Sequence, residues 1–286
     1  MNKFYSIIIL TFILSLSFSP LLAFADECTD LKQQIRKEKD LLKQEDFIFE
    51  ALDLCEDDPE VHYLSGYYEE RLRFYNDALE EYLMATELDK GYAKAYFGQG
   101  DVYMVLGNIE AAIDADETGL SYKESRRARA SLELAQIKRK AETGGEVTSE
   151  EIVRVMQEDV STIEPAEGTT VGPILRMQIQ FRIDSSQLSE TAKAQLETVA
   201  AALLNDAFKG QKFEISGHTD SSGAASANLT LSKERAEQVK KALVENYSVP
   251  ADKLVVAYYG DTRPAVPNTS AENRAINRRV EFKKLN

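Results

Sequence analysis

Runs of alternating apolar and polar residues take turns with helical ones along residues 174–286. The run "ILRMQIQF" (174–181) alternates and predicts a strand. "SETAKAQLETVAAALLND" (189–206) predicts an amphipathic helix, with Ser189 as its cap and Ala192, Leu196, Val199 and Leu203 on the apolar stripe. "KFEISG" (212–217) predicts a second strand. A second helix follows over 228–247, with Leu229, Ala236, Val239 and Leu243 on one face. "KLVVAYYG" (253–260) and "RRVEFKKL" (278–285) complete the set. The order β-α-β-α-β-β predicts an α+β unit whose helices pack on a small mixed sheet.

The first half has a longer period. "HYLSGYYEERLRFYNDALEEYLMATELD" starts at His62 and "YFGQGDVYMVLGNIEAAIDADETGLSYK" starts 34 residues later at Tyr96. Gly66 matches Gly100, Ala78 matches Ala112, and Leu79 matches Ile113. Small residues recur because helix axes approach closely only where side chains are short. The spacing resembles the tetratricopeptide repeat, a helix–turn–helix of this length. Tyr103 and Gly107 fit that pattern, as do Tyr82 and Ala85, whereas Asp116 stands where it has an aromatic. "DFIFEALDLCEDDP" reads as the second helix of a degenerate repeat, and "ESRRARASLELAQIKRKAE" as a capping helix. Residues 26–140 are therefore expected to form all-α helical hairpins. The resemblance implies docking of another protein, with a spacer or dimerisation platform as the structural alternative. Residues 141–173 read as a linker. It contains one short helix, "SEEIVRVMQ", capped by Ser149, and Gly144-Gly145 gives it some freedom.

The N-terminus bears on the compartment. An apolar run from Ile7 to Phe18 and an A-x-A site at Ala23 and Ala25 predict a signal peptide over 1–25. The run is too short for a membrane span, and no later stretch reaches the length needed. In an exported chain Cys28 and Cys55 read as a disulfide contributing about 3 kcal/mol. The alternatives are a lipidated Cys28, against which the preceding Asp26 and Glu27 argue, and two free thiols. Residues 26–145 hold 16 basic and 28 acidic side chains, and residues 146–286 hold 17 and 20. This balance argues against nucleic-acid binding and against an anionic membrane surface.

The candidate chemistry lies in "GHTDSSGAASANLTLSKERA" (217–236). Asp220 leaves a strand, and Asn228 and Arg235 are seven residues apart on one helix face. An Asp, an Arg and a helix N-terminus suit a ligand carrying an ammonium and a carboxylate. A catalytic site and a plain Asp220–Arg235 ion pair are the alternatives. The segment has Gly217, His218, Thr219, Asp220, Gly223, Asn228, Leu231, Ser232 and Arg235 in order. Upstream stand Phe181, Asp184, Ser186 and Leu188; downstream stand Gly260, Pro264, Asn268 and the run Asn277-Arg278-Arg279-Val280-Glu281. Together these resemble the OmpA-like peptidoglycan-binding domain over residues 174–285. The resemblance implies diaminopimelate of the peptidoglycan stem peptide as ligand, with Asp220 and Arg235 as principal contacts. It implies that Thr219, Asn228, Leu231 and Asp184 line the pocket, with Arg279 as a further candidate.

Enzymatic sites are not supported. His62 and His218 are the only histidines and lie in different halves. There is no metal-ligand spacing, nucleophile elbow, phosphate loop or dinucleotide fingerprint, so neither cofactor nor metal is expected. His218 is expected to hydrogen-bond within its turn. The combined reading is a periplasmic, wall-associated protein of a Gram-negative-type envelope, free or peripheral to the outer membrane. It holds peptidoglycan, and its repeats dock another envelope protein. In the alternative, the repeats carry the function as an assembly scaffold and wall binding is weak or lost.

Overall fold

A computed structural model of the chain describes residues 20–157, 174–179, 181 and 187–285. Residues 1–19, which hold most of the expected leader, lie outside the described residues, as does Asp184. Among the described residues, no helix is long and apolar enough to cross a membrane.

Seven helices form the N-terminal unit: α1 (Pro20–Lys37), α2 (Leu41–Leu54), α3 (Pro59–Leu72), α4 (Tyr75–Leu88), α5 (Ala93–Leu106), α6 (Ile109–Tyr122) and α7 (Arg126–Glu142). Short polar side chains start several of them. Asp40, Asp58, Asn108 and Ser125 each accept a backbone N–H of the first turn, and Pro59 follows Asp58 where a missing N–H is harmless. The 34-residue period of the sequence is the period of the helices. α5 and α6 begin 34 residues after α3 and α4, and α2 begins 34 before α4. The degenerate repeat thus keeps register, stapled at its outer end by the Cys28–Cys55 disulfide. Leu31, Ile35, Ile48, Val61 and Leu64 fill the core beneath that bond.

The second unit is a four-stranded sheet of order β1-β4-β2-β3, from β1 (Ile174–Met177), β2 (Lys212–His218), β3 (Leu254–Gly260) and β4 (Val280–Leu285). β2 and β3 are parallel, and β4 runs antiparallel to both β1 and β2. The parallel pair needs a crossover, which α10 (Ala225–Tyr247) supplies. Together with α9 (Glu190–Leu203), α10 covers one face, burying Leu196, Val199, Leu203, Val239 and Leu243 on Phe213, Ile215 and Phe282. β1 ends at Met177, so the alternating run expected to 181 is a shorter strand. Phe181 instead bridges to Leu188. A seven-residue helix, α11 (Ala271–Asn277), precedes β4 and was not expected.

The stretch read as a linker is docked as far as residue 157. Gly144 and Gly145 close the end of α7, Gly145 N donating to Lys140 O at 2.7 Å, rather than providing freedom. α8 (Ser149–Gln157) starts from a reciprocal box at Thr148, not Ser149: Glu151 N donates to Thr148 Oγ1, and Thr148 N donates to Glu151 Oε2. Ile152, Val155 and Met156 of α8 are buried in the same core as Ile137 and Ala141 of α7 and Leu175 of β1. The two units therefore share one apolar core. Residues 158–173 lie outside the described residues.

Candidate functional site

The site stands at the C-terminal end of β2, where α10 crosses close above the sheet. That approach depends on Gly217. A Cβ there would lie 2.1 Å from Ser232 O, so any side chain would push α10 away. Ser232 Oγ accepts from Gly260 N at 3.0 Å and donates to Leu229 O, tying the end of β3 to the same helix. Thr219 N donates to Gly260 O, which sets the exit of the chain from β2. Asp220 follows in the turn, with Oδ1 accepting from Ser222 N at 2.8 Å. Asn228 Nδ2 donates to Asp220 O at 3.2 Å, holding the turn against the first part of α10.

Asp220 and Arg235 do not pair with each other. Asp220 Oδ2 accepts from Arg278 Nη1 at 2.6 Å, and the Asp220 side chain is 9% exposed. Burial pushes its carboxyl up, but Arg278 and the Ser222 N–H outweigh that and hold it below the usual carboxylate range. Arg235 is half-buried, its guanidinium 4.9 Å from the Phe181 ring centre. Its Nε is buried without a hydrogen-bond partner, and burial followed by the nearby Arg278 lowers its pKa. Thr219 Oγ1 is likewise buried and unpartnered. Asn228, Leu231 and Arg235 occur at positions i, i+3 and i+7 of α10, and so share one face. Two opposite charges thus stand close together, each without the other as partner.

Arg279 is elsewhere. It is 5% exposed and donates to Glu281 Oε1, Arg263 O and Asn277 O. The cause is the two-residue alternation of an extended chain. Val280 and Phe282 face the helices, so Arg279 and Glu281 face away from them, in a buried cluster with Arg176 and His218. His218 makes no hydrogen bond within its turn. Its Nε2 lies 3.5 Å from Glu281 Oε2, a contact beyond bonding geometry, and its ring tilts against Tyr259. Arg278, absent from the sequence-derived set, is the residue that reaches Asp220, from the bend between α11 and β4. The loop opposite is pinned by Asn277, which accepts from Ala265 N and Val266 N and donates to Asn268 Oδ1. Asn268 Oδ1 accepts from Ser221 N in turn.

Residues 180–278 match the OmpA family, and the C-terminal unit is an OmpA family domain. The outer membrane porin F of Pseudomonas aeruginosa is 34% identical over 122 residues, which are 42% of this chain and 34% of that protein. The peptidoglycan-associated lipoprotein of the same organism is 36% identical over 104 residues, 36% of this chain and 60% of that protein. Among solved structures, the cell wall anchor of the T6SS from Pseudomonas aeruginosa aligns at 28% identity with a TM-score of 0.33, covering 38% of this chain and 78% of that one. The chain spans about a third of the length of the first curated relatives it matches.

Proposed function

We propose that this protein is exported and binds peptidoglycan non-covalently through the zwitterionic end of the stem-peptide diaminopimelate, while its helical array docks another envelope protein. The carrying observation is Arg235, a partly buried guanidinium whose Nε has no partner, standing beside a turn that holds the ionised Asp220. Arg235 forks the ligand carboxylate. α10 adds to this, because it starts without a side-chain cap and leaves its first N–H groups open to an anion. Asp220 takes the ammonium in exchange for Arg278, whose side chain is 46% exposed and free to swing into solvent. Thr219, Asn228 and Leu231 border the ligand. Asp184 joins them on the strength of the family resemblance alone. The likeness to the peptidoglycan-associated lipoprotein supports the ligand class.

The test is co-sedimentation of the exported chain with purified diaminopimelate-type peptidoglycan. Asp220→Ala and Arg235→Ala, each checked for folding, should weaken pelleting about 10- to 100-fold, the loss of one charge-assisted contact. A folded parent that stays in the supernatant would reduce the family likeness to one of fold and leave the array as the functional part.

A further inference from the structure

Equivalent positions in successive hairpins carry unlike residues. Tyr82 of α4 and Asp116 of α6 are 34 positions apart. The Tyr82 ring is sealed against Gly66 and Gly98, and its hydroxyl donates to Glu70 at 2.6 Å. Asp116 is as deeply buried, 1% exposed, and lies against Gly100, the counterpart of Gly66. Neither of its carboxylate oxygens has a hydrogen-bond partner. Ser131 of α7 is near enough to temper its charge but is not in bonding geometry. A buried carboxylate without a partner is strongly disfavoured, so its presence where the preceding repeat has a ring calls for a counterpart.

The shorter side chain also leaves space. A cavity of ≈160 Å³ opens between α3, α5 and α7, with Tyr82 and Asp116 contributing from the helices behind. Tyr63, Tyr67 and Phe97 are among its walls, and Glu70 and Asp101 join Asp116 as acids. Two cations of the chain already stand there, each in a mode by which the cavity can hold a cation. Lys94 Nζ lies 5.6 Å over the Tyr63 ring, and Arg127 pairs with Asp101 at 2.7 Å with its side chain 78% exposed. The unit around the cavity is strongly acidic, 28 acidic to 16 basic side chains over residues 26–145.

We propose that this cavity recognises a lysine or arginine side chain of a basic partner polypeptide, the stem lying on the aromatic walls and the cationic head meeting Glu70 and Asp116. This rests on the docking reading of the array and supplies its chemistry. The full exported chain, with isotope-labelled tyrosine rings, is titrated with acetyl-Ala-Arg-Ala-amide, its lysine analogue and its uncharged citrulline analogue. The rings of Tyr63, Tyr67 and Tyr82 should shift saturably with the two cationic peptides, and citrulline should bind at least about tenfold more weakly. Asp116→Asn should weaken the arginine peptide several-fold, part of the way to the citrulline level, because Glu70 remains. Asp116→Tyr, which restores the ring of the preceding repeat, should close the cavity and abolish the shifts in a folded chain. No response to the cationic peptides, equal response to citrulline, or an arginine affinity unchanged by Asp116→Asn overturns the site. Retention of an envelope protein by wall-bound chain is followed in parallel. If folded Asp116→Tyr loses the peptide response yet retains that protein undiminished, the cavity is not where the array docks, and the docking reading survives without it.

Discussion

Asp116 shows at the scale of one residue how a functional position is paid for in stability. Burial, with the charge of Asp101 added, raises its carboxyl to about 7 from an ordinary value near 4. Below about pH 4 both folded and unfolded chains hold the proton, and the residue is neutral for folding. Between there and about pH 7 the unfolded chain releases it first, so stability falls as pH rises. Asp116→Asn should match the parent near pH 4 and exceed it at pH 8 by about 2–4 kcal/mol, read from denaturant melts across that range. A variant equally stable at both ends would refute the assigned burial cost. His62 acts in the same direction. Its hydrogen bond to Glu81 raises its pKa, so its contribution is complete in mild acid and lost as pH climbs through the raised value. The variant at position 116 should therefore retain a weaker alkaline loss due to His62. At the Asp220 turn the corresponding test is Arg278→Gln. With Arg278 gone, burial is less opposed and the Asp220 pKa should rise, as followed by carboxyl NMR titration.

Helices and strands were legible to the extent that their causes are local. The 34-residue period located α3 to α6 because those two hairpins repeat the same small residues and turn length, and short apolar-rich runs located β2 and β3. One turn of the array offers a direct check. Gly107 ends α5 at φ 77°, and the equivalent Arg73 ends α3 at φ 69°, where a Cβ is strained. Arg73→Gly should stabilise the chain by roughly 0.5–1 kcal/mol in thermal melts, and destabilisation would show that the Arg73 side chain outweighs its backbone strain. What stayed hidden had causes that were distant in sequence. α11 is seven residues long and owes its place to Ser270, which caps it, and to Asn277, which pins the loop before it. "SEEIVRVMQ" read correctly as a helix, but nothing in it says that Ile152, Val155 and Met156 meet the sheet. The pairing of Asp220 with Arg278 across 58 residues was equally invisible, while the neighbouring Arg279 drew attention through the family motif.

The whole molecule is joined at a buried charge cluster beside the shared core. Arg176 of β1 donates to Glu142 of α7 and to Glu281 of β4, and its guanidinium lies beside Gly107 at the α5–α6 turn. One side chain therefore touches the helical array and the sheet at once. The two carboxylates respond differently. Burial pushes Glu281 up, but His218, Arg279 and Arg176 outweigh it and hold it far below the usual range. Burial wins at Glu142, whose pKa is raised despite Arg176. Removing Arg176 leaves Glu281 with Arg279 but strips Glu142 of its guanidinium partner in a largely buried place. Arg176→Met should then destabilise the chain by about 2–4 kcal/mol at pH 8, since a buried charge without its counter-ion is disfavoured. The deficit should shrink in acid, because a protonated Glu142 needs no counter-charge. Since α7 and the sheet share their core, the parent should melt in one calorimetric transition and the variant at pH 8 in two, as the array parts from the sheet. A small, pH-independent loss with a single transition would mean that apolar packing of α7 and α8 alone holds the units together. The cluster would then be a satisfied patch of the sheet and not the link between the array and the OmpA family domain.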